Sequence, residues 1–147
     1  MATLTPTLTL SCTDLTSDST NFTVTDSLTV TAPAGSVQKI STSANPLAAG
    51  PGILLTEANS TGTTFVYLRH QGVLASDGTT ACHASNDFIR LSNADGDMDF
   101  IKLQPGEFCF FPLMEFDGSD GGVEAGGLKV EAASAAVMIE YAYWTRS

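Results

Sequence analysis

A short stretch near the middle of the chain, FIKLQPGEFCFFPL at residues 100–113, constrains the fold more than any other. It predicts two strands joined at Pro105-Gly106, because proline presets φ for the first central position of a type II turn and glycine supplies the positive φ of the second. The outgoing strand is apolar on both faces, with Phe108, Phe110 and Pro112 opposite Cys109, Phe111 and Leu113. Such a strand must be covered on both sides. We therefore expect this hairpin in the core of a β-sandwich, close to a second sheet or a neighbouring chain.

The rest of the chain repeats strand signals about every 8–15 residues, with turn signals between them and no sustained helical periodicity. This pattern predicts an all-β fold, a single antiparallel β-sandwich that is jelly-roll-like. Residues 1–32 are rich in threonine and serine and alternate with apolar residues. They fit either half-buried strands of the sandwich or an extended arm that adds a strand to a neighbouring subunit. The predicted organisation is N-terminal strands or arm at 1–32 and a sandwich domain at 33–147.

Composition excludes several classes of partner. The formal net charge is −10, with 16 acidic residues against 6 basic ones, which argues against nucleic acid and against anionic membranes. Three cysteines without a CxxC pair indicate reduced, buried side chains of a chain made in a cytosol. The N-terminus has no basic region before an apolar block, so we expect no signal peptide, and no apolar run is long enough for a membrane span.

One segment resembles the opening of a calcium loop, with oxygen-bearing side chains at alternate positions: Asn93, Asp95, Asp97 and Asp99. The twelfth position, where a glutamate would complete such a loop, is Gln104. The segment also lies between two strands rather than two helices. We therefore expect a hairpin turn here and keep calcium only as a weak candidate.

The sequence offers little for catalysis. The histidines, His70 and His83, lack the paired spacing of zinc ligands, and no GxSxG nucleophile elbow surrounds any serine. The carboxylates Glu107, Glu115 and Asp117 flank an apolar strand and could form an acid pair, although solvent exposure at strand ends is their commoner fate. We predict a chain that is not an enzyme, with no catalytic residue and no cofactor.

Three segments together resemble small virion structural proteins of tailed bacteriophages, especially marine and cyanobacterial phages. They are FVYLR at 65–69, LQPGEFCFFPL at 103–113 and IEYAY at 139–143. In that family a strand similar to YVYLKN, a PGEFxFFP hairpin and a terminal LEYxxF strand recur in this order, after a Thr-rich opening. The chain departs from the pattern at Arg69-His70, where Lys-Asn is usual, and at Trp144, which stands at the terminal aromatic position.

The resemblance implies a capsid decoration or cement protein, located on the virion head surface and made in the host bacterial cytoplasm. It implies two partners, the major capsid protein and further copies of this chain in a homotrimer. The expected interface combines the N-terminal segment with an aromatic set: Leu4, Leu8, Leu10, Phe22, Val24, Tyr67, Phe110, Tyr143 and Trp144. One alternative is a tail or neck fibre component, or a receptor- or glycan-binding module of the virion. The other is a small cupin-like or hydrolytic enzyme, and a cupin would need two or three clustered histidine ligands.

Overall fold

The computed structural model describes residues 2–12, 20–30, 34–40, 53–55, 64–93, 99–113 and 128–145. These residues form strands, turns and bends without any helix, and every strand pair is antiparallel. The prediction of an all-β, antiparallel fold is therefore confirmed over the described ranges. Within the same ranges no helix could cross a membrane.

Twelve strands lie in the described ranges. In chain order they are β1 Ala2–Leu4, β2 Thr7–Cys12, β3 Thr20–Thr25, β4 Leu28–Val30, β5 Ala34–Ile40, β6 Ile53–Leu55, β7 Thr64–Leu74, β8 Ile89–Asn93, β9 Asp99–Leu103, β10 Phe108–Leu113, β11 Leu128–Ala132 and β12 Val137–Thr145.

Two four-stranded sheets form the body of the protein, with strand orders β10-β7-β12-β5 and β6-β11-β8-β9. The pairing between them is nested: β5 pairs with β12, β6 with β11, β7 with β10, and β8 with β9. The innermost pair is thus close in sequence, and each further pair joins strands that lie farther apart along the chain.

The body has one apolar core to which both sheets contribute. In β7 the alternate residues Val66, Leu68 and His70 are buried, whereas Arg69 between them is exposed. This two-residue period is expected of a strand with one face toward a core. The core cluster combines such residues from both sheets: Val66, Leu68, Ile89, Leu91, Leu103, Leu128, Val130, Ala132, Val137 and Ile139. One shared core between two antiparallel sheets is compatible with a β-sandwich.

The turn between β9 and β10 confirms the prediction at Pro105-Gly106. Gly106 has φ +90°, and the Glu107 N–H donates to the Gln104 carbonyl at 3.0 Å. The Glu107 carboxylate also accepts the Gln104 N–H at 2.7 Å, which closes the turn from both sides. Local turn chemistry thus favours this hairpin, and two backbone hydrogen bonds also join the turn to His70 of β7: the Gly106 N–H donates to the His70 carbonyl at 3.0 Å, and the His70 N–H donates to the Glu107 carbonyl at 2.9 Å.

Residues 2–12 and 20–30 pair with each other and form what we call the ribbon. β1 pairs with β4 and β2 with β3, and the same register continues through both pairs, from Ala2↔Val30 to Cys12↔Thr20. Where Pro6 interrupts the strands, the Asp26 N–H donates to the Pro6 carbonyl at 3.1 Å. The ribbon is thus one long hairpin rather than part of either four-stranded sheet.

Candidate binding surface

The outer face of the β10-β7-β12-β5 sheet carries a cluster of aromatic rings. In β7, Tyr67 lies opposite Phe110 of β10 on one side and opposite Ala142 of β12 on the other. Phe65 of β7 lies opposite Trp144 of β12. Residues directly opposite each other in an antiparallel pair share a face of the sheet. Because Val66 and Leu68 face the core, these neighbouring residues of β7 and their partners face outward.

The rings contact one another across the strands. Phe65 stacks on Phe110, with ring centroids 5.9 Å apart and planes 13° from parallel, and Phe110 meets Trp144 at 6.3 Å with the planes tilted by 57°. Such geometries are favourable for aromatic pairs beyond the area that they bury. Phe110 thus lies between two rings and yet stays 39% exposed.

The N-terminal segment and this aromatic cluster enclose an open groove of about 390 Å³. One wall comes from the ribbon, with Leu4, Pro6, Thr7 and Leu8, and the other from the sheet, with Tyr67, Phe108, Phe110 and Trp144 together with Cys109. None of these lining residues is charged. The pKa of the Cys109 thiol is raised to about 11 by burial, so the thiol stays protonated near neutral pH.

The groove brings together five of the residues that the sequence proposed for a partner interface: Leu4, Leu8, Tyr67, Phe110 and Trp144. Three others, Leu10, Phe22 and Val24, lie farther along the ribbon and are 46%, 44% and 57% exposed. Tyr143 pairs with the buried Val66 and packs against the core, on the face of the sheet opposite the groove.

Sequence reasoning missed four of the lining residues: Pro6, Thr7, Phe108 and Cys109. Phe108 was assigned to a face that a second sheet or a neighbouring chain would cover, but in this chain it is 61% exposed. The apolar pattern on both faces of β10 was the signal for this exposed surface: Cys109 and Phe111 pack against the core, so the face with Phe108 and Phe110 is left partly exposed. Phe65, which stacks under Phe110, was missed as well.

The weak calcium candidate falls partly outside the described residues, since Asp95 and Asp97 are not among them. Asn93 ends β8 and Asp99 begins β9. The Asp99 carboxylate lies 3.8 Å from the guanidinium of Arg90, with both side chains about half exposed. In the part of the chain that the structure describes, no three His, Cys, Asp or Glu residues group as metal ligands.

Both nitrogens of His70 are engaged within the fold, and its side chain is fully buried. Nδ1 accepts the Gly72 N–H at 3.0 Å, so Nε2 carries the proton and donates to the Asp87 carbonyl at 2.6 Å. Burial lowers the pKa of the imidazole, although the nearby Asp87 opposes that shift. His70 therefore ties β7 to the 83–87 turn as a neutral ring and has no free nitrogen for a metal.

A second, smaller cavity of about 270 Å³ lies on the other sheet, near two cationic side chains. Arg90 and Lys102 face each other across β8 and β9, and both approach the ring of Phe88, the Lys102 ammonium at 3.9 Å from its centroid. A cation at this distance is attracted by the face of the ring. Both charges thus already have partners, Phe88 for each and Asp99 for Arg90.

With the geometry established, the chain was compared with known proteins. No family model, no curated protein and no solved structure matches it. The uncharged aromatic groove is the feature of the described residues that bears most directly on function.

Proposed function

We propose that this chain is a virion structural protein of a tailed bacteriophage, a capsid decoration or cement protein that binds and stabilises the head surface. The observation that carries the proposal is the groove, in which the N-terminal segment and an aromatic sheet face form one uncharged, partly open surface. Tyrosine, tryptophan and phenylalanine are enriched where proteins bind proteins, and they often supply most of the binding energy.

The strand order supports a jelly roll as the finer description of the sandwich. A jelly roll is a long antiparallel hairpin that is rolled up so that successive strand pairs fall in two facing sheets. The nested strand pairs formed by the eight strands from β5 to β12 have that order. Jelly rolls occur in viral capsid proteins, but also in lectins and cupins. The fold is thus compatible with the proposal without deciding it.

The proposed partners are the major capsid protein and further copies of this chain, assembled as a homotrimer on the head. An acidic chain with 16 carboxylate residues and 6 basic ones would not be held there by the packaged DNA, so protein contacts must hold it. Particle binding through the groove is consistent with that requirement, since apolar contacts persist at high salt whereas surface ion pairs are screened.

The first experiment measures the copy number and position of the chain on purified parent particles, by quantitative mass spectrometry and electron microscopy. Hundreds of copies spread over the head would support the proposal. A few copies at the tail or neck would support a fibre or receptor-binding component, and absence from the particle would overturn the structural role altogether.

A matched pair of variants tests whether the groove does the binding. Phe110→Ala alters the groove, whereas Phe100→Ala alters a phenylalanine of nearly equal exposure, 38% against 39%, that does not line it. We expect Phe110→Ala to weaken binding to undecorated particles about tenfold or more, and Phe100→Ala to leave it unchanged. Equal effects of the two variants would contradict a role of the groove.

One observation favours a second candidate, a glycan- or receptor-binding module of the tail. The aromatic rings of Tyr67 and Trp144 line the groove, and rings of this kind can stack on sugar faces. Isothermal titration of the purified chain with oligosaccharides of the host surface tests it. Saturable binding that Trp144→Ala abolishes would replace the decoration role with this one.

A further inference from the structure

Strand β7 bulges between His70 and Leu74, next to its partner strand β12. Leu74 pairs with Val137 and His70 pairs with Ile139, so β7 takes four residue steps where β12 takes two. The bulge includes Gly72, whose φ of +81° lies in the left-handed region that favours glycine. The Gly72 N–H donates to Nδ1 of His70 at 3.0 Å. A ring nitrogen thus takes the place of a strand carbonyl as the acceptor within the bulge.

The same imidazole fixes both ends of residues 82–87, which we call the 82–87 segment. At one end, the Gly72 carbonyl in the bulge accepts the Cys82 N–H at 2.9 Å. At the other end, the Asp87 carbonyl accepts the Nε2 proton of His70 at 2.6 Å. His70 therefore holds the first end through Gly72 and the second end directly.

Between its ends, the 82–87 segment is bonded to itself. The His83 carbonyl accepts the Asn86 and Asp87 N–H groups at 3.1 and 3.0 Å, and the Asp87 carboxylate accepts the His83 N–H at 2.7 Å. Residues 83–86 are exposed. A unit that is closed on itself and attached at its ends can separate from the body without disturbing the apolar core.

Protonation of His70 removes the acceptor on which the bulge depends. A neutral imidazole has one donor and one acceptor nitrogen, whereas an imidazolium has two donors. A proton on Nδ1 would face the Gly72 N–H, which now lies 3.0 Å away as a donor. The ring is fully buried, so water can satisfy the opposed N–H groups only if the chain around them moves.

Asp87 is the charged group that acts on the ring. Its carboxylate favours the imidazolium, but burial lowers the pKa of His70 and is the larger of the two effects. The adjacent charge on β7, Arg69, is paired across the strands with Glu140 of β12. Consecutive residues of a strand point to opposite faces, so this pair lies on the other side of the sheet.

The remaining elements against His70 present uncharged groups to it. β12 places Ile139 opposite the histidine, and the turn before β10 contributes backbone groups. The Glu107 carboxylate of that turn accepts the Gln104 N–H. Burial and Asp87 raise the pKa of the Cys82 thiol above its ordinary value, so this thiol is protonated at neutral and lower pH.

We propose that His70 is a pH-sensitive latch, whose protonation releases the 82–87 segment from β7 while both four-stranded sheets stay folded. Opening admits water to the ring, the bulge and the buried Asp87. The inference goes beyond the proposed function and does not depend on it, because it concerns the isolated chain. Its failure would leave the role on the particle untouched.

The test is amide hydrogen exchange of the purified chain, followed by NMR between about pH 7.5 and pH 4.5, with each rate divided by the intrinsic rate at that pH. We expect protection of the Gly72 and Cys82 amides to fall by up to about tenfold per pH unit below about pH 6.5. The matched control is the turn at Thr79 and Thr80, whose amides are bound by the Asp77 carboxylate at 2.9 and 2.8 Å. The pKa of Asp77 is lowered to about 2 by these threonines, so protection there should not change.

Two outcomes of this measurement would overturn the proposal. One is protection of Gly72 and Cys82 that does not change with pH. The other is protection equal to that of the buried Leu68 at every pH, because the segment would then open only when the whole protein unfolds.

The variants His70→Gln and His83→Ala identify the group that titrates. Glutamine keeps an N–H donor for the Asp87 carbonyl but gains no proton in this pH range. Protection in His70→Gln should therefore not change with pH, whereas His83→Ala should keep the wild-type response although His83 lies within the segment. A response that His83→Ala removes and His70→Gln keeps would overturn the latch.

The wild type decides the question even if circular dichroism shows that His70→Gln does not fold. NMR signals of the His70 ring report its protonation directly. The loss of protection should continue down to the pH at which these signals titrate and level off there. A loss of protection that does not follow the titration of His70 would overturn the proposal.

Discussion

Replacement of His70 by leucine tests how much a buried, neutral imidazole stabilises the body of the protein. Leucine fills most of the same apolar space but makes no hydrogen bond. The Gly72 N–H and the Asp87 carbonyl, now satisfied by the two ring nitrogens at 3.0 and 2.6 Å, would both lose their partner. A buried polar group left without a partner costs about 1–3 kcal/mol. The variant should therefore lose about 2–5 kcal/mol of unfolding free energy.

The matched control is His83→Ala, because His83 is exposed and its Nδ1 accepts only the Ser85 N–H and hydroxyl at 3.3 Å. Urea unfolding at pH 7.5, followed by far-ultraviolet circular dichroism, measures both variants against the wild type. His83→Ala should change the unfolding free energy by less than about 0.5 kcal/mol. A loss below about 1 kcal/mol for His70→Leu would refute the reasoning, since both orphaned groups would then have found water.

The same pair of variants predicts the sign of a pH dependence. The pKa of folded His70 is lowered from its ordinary value of 6.5, so the unfolded chain binds more protons than the folded one just below that pH. The stabilisation is therefore complete above pH 6.5 and is lost as pH falls, with a slope of at most about 1.4 kcal/mol per pH unit. His70→Leu should remove this slope and His83→Ala should keep it. If His83→Ala removed the slope and His70→Leu kept it, the result would contradict a neutral, buried imidazole at His70.

Three further predictions concern the groove, the core and the turn. At pH 8 iodoacetamide should modify Cys82 well before Cys109, because the Cys109 pKa of about 11 leaves roughly one molecule in a thousand with a thiolate at this position. Peptide mapping measures the two rates, and equal rates would contradict the burial of the Cys109 thiol. Leu68→Ala should cost about 2–5 kcal/mol in urea unfolding, whereas Phe108→Ala should cost less than about 1 kcal/mol, because only the first side chain is fully buried. Gly106→Ala should cost about 1–2 kcal/mol from φ +90° alone, since nothing lies within 4 Å of the added Cβ; an unchanged midpoint would show that the turn relaxes.

Local chemistry explains what the sequence could predict. The turn at Pro105-Gly106 was predictable because the backbone preferences of proline and glycine are local properties of these two residues. Local chemistry does not determine which strands pair with each other. Alternation in the N-terminal segment predicts one apolar face, but it does not say whether that face meets the sandwich, a neighbouring chain or nothing.

The interface residues illustrate the same limit. Tyr143 and Trp144 were proposed together as one aromatic set, yet consecutive residues of a strand point to opposite faces. Register therefore places Trp144 in the groove and Tyr143 against the core. Which face is which depends on the strands that pair with β12, and that information lies far away along the chain.

The nested pairing of the body has a consequence for how the protein folds. β8 and β9 are neighbours in sequence and can pair early, but β5 must wait for β12, which pairs Ala34 with Tyr143. Closing such long loops slows folding. We expect the body to assemble from its innermost hairpin outward, with β5 joining last. The ribbon needs only residues 2–30, so it can form first and present its apolar face before the groove beside it exists.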